Sequence, residues 1–111
     1  MKRQKDNHFY LDRIIKDIDF IIRNMNGVTY EALQANEVLL DSMIFRLIQI
    51  SENSKKLSEE FKQNFRQVPW TDISGLRNRL VHDYTNVDLT IVYKTVSEDI
   101  PNLKVYFESI E

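Results

Sequence analysis

Four side chains within eight positions can do phosphoryl chemistry. Arg77, Asn78, His82 and Tyr84 supply a guanidinium, a carboxamide, an imidazole and a phenol. An imidazole that titrates near neutral pH can take a proton from a nucleophile or return one to a leaving oxygen. A guanidinium can grip phosphoryl oxygens in a bidentate fork and hold their charge as the transition state forms. Asn78 can orient the histidine or the phosphate. The reaction that needs no more than these groups is metal-free phosphodiester cleavage, in which a 2′-hydroxyl attacks its neighbouring phosphorus. The same residue types also allow a plainer reading: a half-buried histidine favoured by the dipole at a helix end, and a surface arginine.

These residues close the stretch PWTDISGLRNRLVHDY, residues 69–84. Ile73, Leu76, Leu80 and Tyr84 recur at spacings of three and four, which predicts one helix with one apolar stripe. Arg77 precedes Tyr84 by seven residues, two helical turns, so the two share a line. His82 follows Arg77 by five residues, about 140° round an ideal helix. A site that uses both therefore needs the helix to end near His82, or a second copy of the helix to face the first.

The string RNRLVHDY closely resembles the signature of the HEPN superfamily, and its Tyr two residues after the His resembles the HepT-like toxin group. The resemblance extends to Pro69-Trp70, to RLIQISENSKKL at residues 46–57 and to the order of the helices, so it covers nearly the whole chain. One departure is visible. HepT-like chains often carry Gly-Glu-Ala in the middle helix, and here the residues are Ser51, Glu52 and Asn53. The resemblance implies a metal-independent endoribonuclease without a cofactor of its own, with Arg77 and His82 catalytic and Asn78 in support. It implies a homodimer in which two such helices line one cleft. It further implies the toxin half of a toxin–antitoxin pair. The antitoxin would be a nucleotidyltransferase that uses ATP to place AMP on Tyr84. Adenylylation adds charge and bulk where an RNA phosphate is expected to dock. The competing class is a non-catalytic helical dimerisation or interaction module that partners a nucleotidyltransferase, or an accessory subunit that only binds substrate.

A chain of 111 residues suits a single domain spanning residues 1–111. Its 42% hydrophobic content is ordinary for a globular fold, and two Gly and two Pro leave little material for the turns of a many-stranded sheet. There is no cysteine, and His8 and His82 lack metal-ligand spacing. The polar start MKRQKDNHFY has no apolar signal region, and no apolar run reaches the length of a membrane span, so a soluble cytoplasmic protein is expected. The net charge of −2 argues against broad, sequence-blind nucleic-acid binding. A local patch is still available between residues 62 and 82, where Lys62, Arg66, Arg77 and Arg79 meet one carboxylate, Asp72. Within it Arg79 is a candidate RNA contact.

The remaining elements follow from periodicity. Residues 6–25 are predicted as a first helix, with Tyr10, Ile14, Ile18, Ile21, Ile22 and Met25 on one stripe and Arg13, Lys16, Asp17 and Arg23 largely off it. Asn26-Gly27 should end it, and Thr29 should cap a short helix to about Ala35. Residues 37–57 form a third helix, apolar over more than half its circumference, with Arg46, Gln49 and Glu52 in a polar strip. That strip is either solvated with one ion pair or, in a dimer, lines the cleft and holds the catalytic arginine. Ser58 caps a short turn through Phe65, Lys62 to Val68 is polar and reads as a loop, Pro69 sits near the start of the next helix, and Trp70 anchors it in the core. Tyr84 closes that helix, Thr85 and Asn86 turn, and Asp88 caps a last helix over residues 89–110 that Pro101 should kink near residues 97–101. The sum is an all-α, four-to-five-helix up-down bundle.

Overall fold

The computed structural model describes residues 4–80 and 87–110, and these form an all-α domain. Helix α1 (Gln4–Met25) buries Leu11, Ile14, Ile18, Ile21 and Met25, one residue per turn on a single face. Each such side chain taken fully out of water contributes roughly 1.5–3 kcal/mol. The helix stops at Gly27, whose φ of 76° lies in the left-handed region. Nothing would crowd a Cβ there within 4 Å, so backbone conformation, not space, selects the glycine.

Four helix starts carry side-chain caps, three of them expected from the sequence and the fourth, Asn36, seen only in the structure. Thr29 accepts from the Ala32 amide at 3.1 Å and opens α2 (Tyr30–Ala35). Asn36 accepts from the Leu39 amide at 3.0 Å and opens α3 (Glu37–Lys55). Ser58 accepts from the Phe61 amide at 3.1 Å and opens α4 (Glu59–Asn64). Asp88 accepts from the Ile91 amide at 3.2 Å and opens α7 (Leu89–Lys94). Each satisfies an amide that has no partner inside its own helix, typically about 1 kcal/mol. Ser58 also donates its amide to Asn7 Oδ1 at 2.9 Å and accepts from Asn7 Nδ2 at 3.1 Å, which ties the start of α4 to α1.

Between α4 and α7 the chain forms two short helices, α5 (Trp70–Ser74) and α6 (Leu76–Leu80). The single helix predicted over this stretch is broken at Gly75, which has φ −89° and ψ 0°. The periodicity of Ile73, Leu76 and Leu80 survives the break, since all three are buried. The expectation that Tyr84 closes the helix, and the turn at Thr85 and Asn86, lie outside the described residues.

The kink expected at Pro101 takes the form of a π-turn over Thr95–Asp99, between α7 and α8 (Ile100–Glu108). Pro101 offers no amide to the carbonyl four residues earlier, and a wider turn absorbs the missing bond. Ser97 Oγ donates to the Tyr93 carbonyl at 2.6 Å and Thr95 Oγ1 to the Ile91 carbonyl at 2.7 Å. Val92, Val96 and Ile100 recur every four residues, slightly wider than the α-helical repeat, and the wide turn keeps all three buried with Leu103 and Phe107. Lys94 pairs with Asp99 across this turn at 3.0 Å, and that hydrogen bond and charge raise the Lys94 pKa.

α1 packs along α3, and α3 in turn packs on α5 and α6, while α8 closes the other side of α1. Asp17, which periodicity places off the stripe, is buried, because Arg46 of α3 covers it with an Nη1–Oδ1 ion pair of 2.8 Å. No described helix is long and apolar enough to cross a membrane.

Candidate active site around Arg77

The short helices α5 and α6 are held from several directions before any functional group is considered. Trp70 is buried and donates Nε1–H to the Phe65 carbonyl at 3.0 Å. Its ring meets Phe107 edge-on at 5.7 Å and Phe61 at 6.3 Å, so it is the core anchor expected and not a stacking platform. Pro69 stands just before the first turn, where a missing amide costs nothing. Ile73, Leu76 and Leu80 face the core. On the α3 side, Ser51 Oγ donates to the Ser74 carbonyl at 2.9 Å, and Ser54 Oγ lies 3.2 Å from Ser74 Oγ.

From this base α6 presents Arg77, Asn78 and Arg79, all exposed. Successive residues lie 100° apart, so Arg77 and Arg79 flank the buried face on opposite sides, with Asn78 pointing away from it. Their fates differ. Arg79 Nη1 donates to the Asp72 carbonyl at 2.9 Å, back across Gly75. Arg77 has no hydrogen bond or ion pair among the described residues, so its fork is available to a ligand. His82 and Tyr84 lie outside the described residues. The Asp88 amide bonds the Leu80 carbonyl at 3.2 Å, so the chain leaves and rejoins the described fold beside the end of α6.

The surrounding charges are mixed. Lys62 and Arg66 line an open groove of about 640 Å³ together with Glu59 and Asp72. Arg79 and Lys94 line a second, of about 360 Å³, together with Asp72 and Asp99. Carboxylates thus interleave with the cations of the expected patch. The polar strip of α3 is engaged within the chain. Arg46 lies over the Phe20 ring at 3.8 Å while pairing with Asp17, and Glu52 pairs with Lys55 at 3.2 Å. Two of the strip's residues are thus paired within the chain, in two ion pairs where one was expected. No group of three or more metal-ligating side chains occurs among the described residues.

Pattern reading named Ser51 only as a departure from the family's middle-helix residues, and it passed over Ser54, Ser74 and Gly75. Two serines three apart on α3 and the Ser74-Gly75 step were visible as small residues, but nothing in their spacing showed that they meet.

An all-α bundle that pins a short, arginine-bearing helix against its core agrees with the HEPN-like resemblance of the sequence. The family model described as "Ribonuclease HepT-like" matches residues 14–110, and the chain belongs to that family. It is 33% identical over 110 residues to a candidate ribonuclease HepT of Thermococcus cleftensis, spanning 99% of this chain and 98% of the relative. It is 32% identical over 101 residues to a candidate RNase of Caldanaerobacter subterraneus subsp. tengcongensis, spanning 91% and 90% of the two chains. A candidate RNase of Methanocaldococcus jannaschii is 29% identical over 107 residues, spanning 96% and 98%. No solved structure matches the chain.

Proposed function

We propose that this chain is a metal-independent endoribonuclease and the toxin of a toxin–antitoxin pair. The observation that carries the reading is Arg77: exposed, without a partner among the described residues, and mounted on a helix whose other contacts are fixed. Arg79 and Arg46, by contrast, are engaged with a carbonyl and a carboxylate.

In this reading RNA places a phosphodiester against Arg77, whose two-pronged guanidinium neutralises the phosphoryl oxygens as charge builds on them. His82 takes the proton of the attacking 2′-hydroxyl or delivers one to the departing 5′-oxygen. The new 2′-oxygen–phosphorus bond forms as the 5′-oxygen–phosphorus bond breaks, leaving a 2′,3′-cyclic phosphate and a 5′-hydroxyl. Asn78 supports one of the two groups. The protein acts as a homodimer in the cytoplasm, with a second copy completing the cleft. A cognate nucleotidyltransferase silences it by transferring AMP from ATP to Tyr84. Family membership and the names of the relatives support the ribonuclease step.

The test is cleavage of RNA by protein purified free of any partner, in EDTA, with the fragment ends identified. Cyclic phosphate ends are expected, at an undiminished rate. Cleavage that appears only on adding a divalent metal overturns the mechanism. The alternative, a non-catalytic interaction module partnering a nucleotidyltransferase, draws on exposed apolar side chains such as Val38 and Phe45, and it predicts no cleavage by any preparation.

A further inference from the structure

Ser51 and Ser54 stand one turn apart on α3, both with no solvent exposure. Their hydroxyls converge on Ser74, one on its carbonyl at 2.9 Å and one on its hydroxyl at 3.2 Å. Ser74 is the last residue of α5, and the helix breaks at the next residue, Gly75. In an unbroken α-helix the Ser74 carbonyl would accept from the Asn78 amide. Here it accepts from a hydroxyl of another helix, and the bond that restarts the ladder, Arg79 amide to Gly75 carbonyl, is long at 3.3 Å. Arg79 Nη1 straps the outer side of the same joint by reaching Asp72. The direction in which α6 sets out is therefore set at Ser74, three residues before Arg77.

We propose that Ser51 is a positioning residue for RNA cleavage: by holding the Ser74 carbonyl it sets the angle at Gly75 at which α6 carries Arg77 to the phosphate. The inference rests on the ribonuclease reading. Removing the hydroxyl frees the Ser74 carbonyl for the Asn78 amide, α5 and α6 run on as one helix, and the guanidinium is displaced. A shift of about 1 Å in a group that stabilises a transition state costs on the order of 10²-fold in rate.

The experiment compares wild type with Ser51→Ala in three measurements. These are single-turnover cleavage, affinity for an RNA whose attacking 2′-hydroxyl is replaced by hydrogen, and the backbone amide shifts of residues 76–80. The expected result is a rate lower by on the order of 10²-fold with affinity within about twofold, and amide shifts that move in α6 but not in α1. A merely structural serine would lower rate and folded fraction together and leave that split absent. Gly75→Ala is the second variant, for use if Ser51→Ala folds poorly. Its Cβ would meet only the Thr71 carbonyl at 3.4 Å and Arg79 Nη1 at 3.8 Å, and alanine favours the continuous helix. It should melt no lower than wild type and still cleave slowly. Full activity in the folded variant overturns the inference and leaves the ribonuclease reading intact. A wild-type chain that cuts no RNA overturns both.

Discussion

Arg79 reaches back across Gly75 and donates to the main-chain oxygen of Asp72 at 2.9 Å, while Arg77, two residues earlier on the same helix, has no partner among the described residues. Two exposed arginines of one short helix thus serve different ends. Arg77→Ala should lower RNA cleavage about 10²–10³-fold, the usual cost of losing a transition-state charge donor. Its melting point should stay near that of wild type, since no described contact is lost. Arg79→Ala should cost about 1 kcal/mol of stability, one hydrogen bond, and affect cleavage less. Urea melts and initial rates on both variants check this. The reverse order of effects would make Arg77 the structural residue.

His82→Ala should remove the proton-transfer group, about 10²–10⁴-fold in rate, while leaving the oligomeric state unchanged. A variant that melts early would place the imidazole in the fold and not in the chemistry. The pH–rate profile separates the roles: the wild-type limb that reports an imidazole should be absent from the residual activity of the variant.

Much of this was legible in the sequence, for reasons particular residues make plain. Thr29, Ser58 and Asp88 each precede a helical run and cap it as expected, while the cap at Asn36 was not read from the sequence. Trp70 beside Pro69 reads as an anchor because one large ring next to an apolar stripe is cheapest in the core. The break at Gly75 was not legible. Leu76 and Leu80 keep helical spacing through it, and the bond that marks it comes from Ser51, distant in sequence. Asp17 was misplaced for a similar reason: an ion pair with Arg46 buries a carboxylate that periodicity alone puts outside. The geometry between Arg77 and His82 belongs in part to residues that are not described, and the sequence supplied only their angular separation.

Asn53 offers a stability test independent of function. It is buried, and its Nδ2 has no hydrogen-bond partner among the described residues. An unsatisfied buried donor costs about 1–3 kcal/mol, whereas an apolar group of similar shape has nothing to lose. Asn53→Leu should therefore match or exceed wild type in stability, by up to about 1 kcal/mol after the cost of fitting a branched side chain. A variant destabilised by more than that would show that the amide has a partner worth keeping.

Val38 and Phe45 stand two turns apart on α3, 77% and 55% exposed, beside the half-buried Ile44 and Ile48. A helix so apolar on its outer side is expected to meet a second copy. Sedimentation equilibrium at micromolar concentration should find a dimer, and Phe45→Glu should find a monomer. Phe45 is exposed, so the monomer should fold with little loss of its own stability. If two copies complete one cleft, that folded monomer should cut RNA far more slowly than wild type. Full activity in the monomer would place the whole site within one chain.

Tyr84 is the residue on which regulation is expected to turn. It follows His82 by two positions, so an AMP group on its oxygen brings a phosphate and an adenosine to the neighbourhood where RNA phosphate must bind. Negative charge there competes for Arg77, and bulk excludes the strand. Incubation with the cognate nucleotidyltransferase and ATP should add one adenylyl mass and abolish cleavage. Tyr84→Phe keeps the ring and removes the acceptor oxygen. It should stay folded, keep cutting RNA, and gain no mass. Tight binding of the partner can still inhibit this variant without chemistry, so intact mass, not activity alone, is the deciding measurement. An adduct on Tyr84→Phe as abundant as on the parent would place the acceptor on another residue, and a Tyr84→Phe protein that folds but cannot cleave would give the phenol a part in the reaction itself.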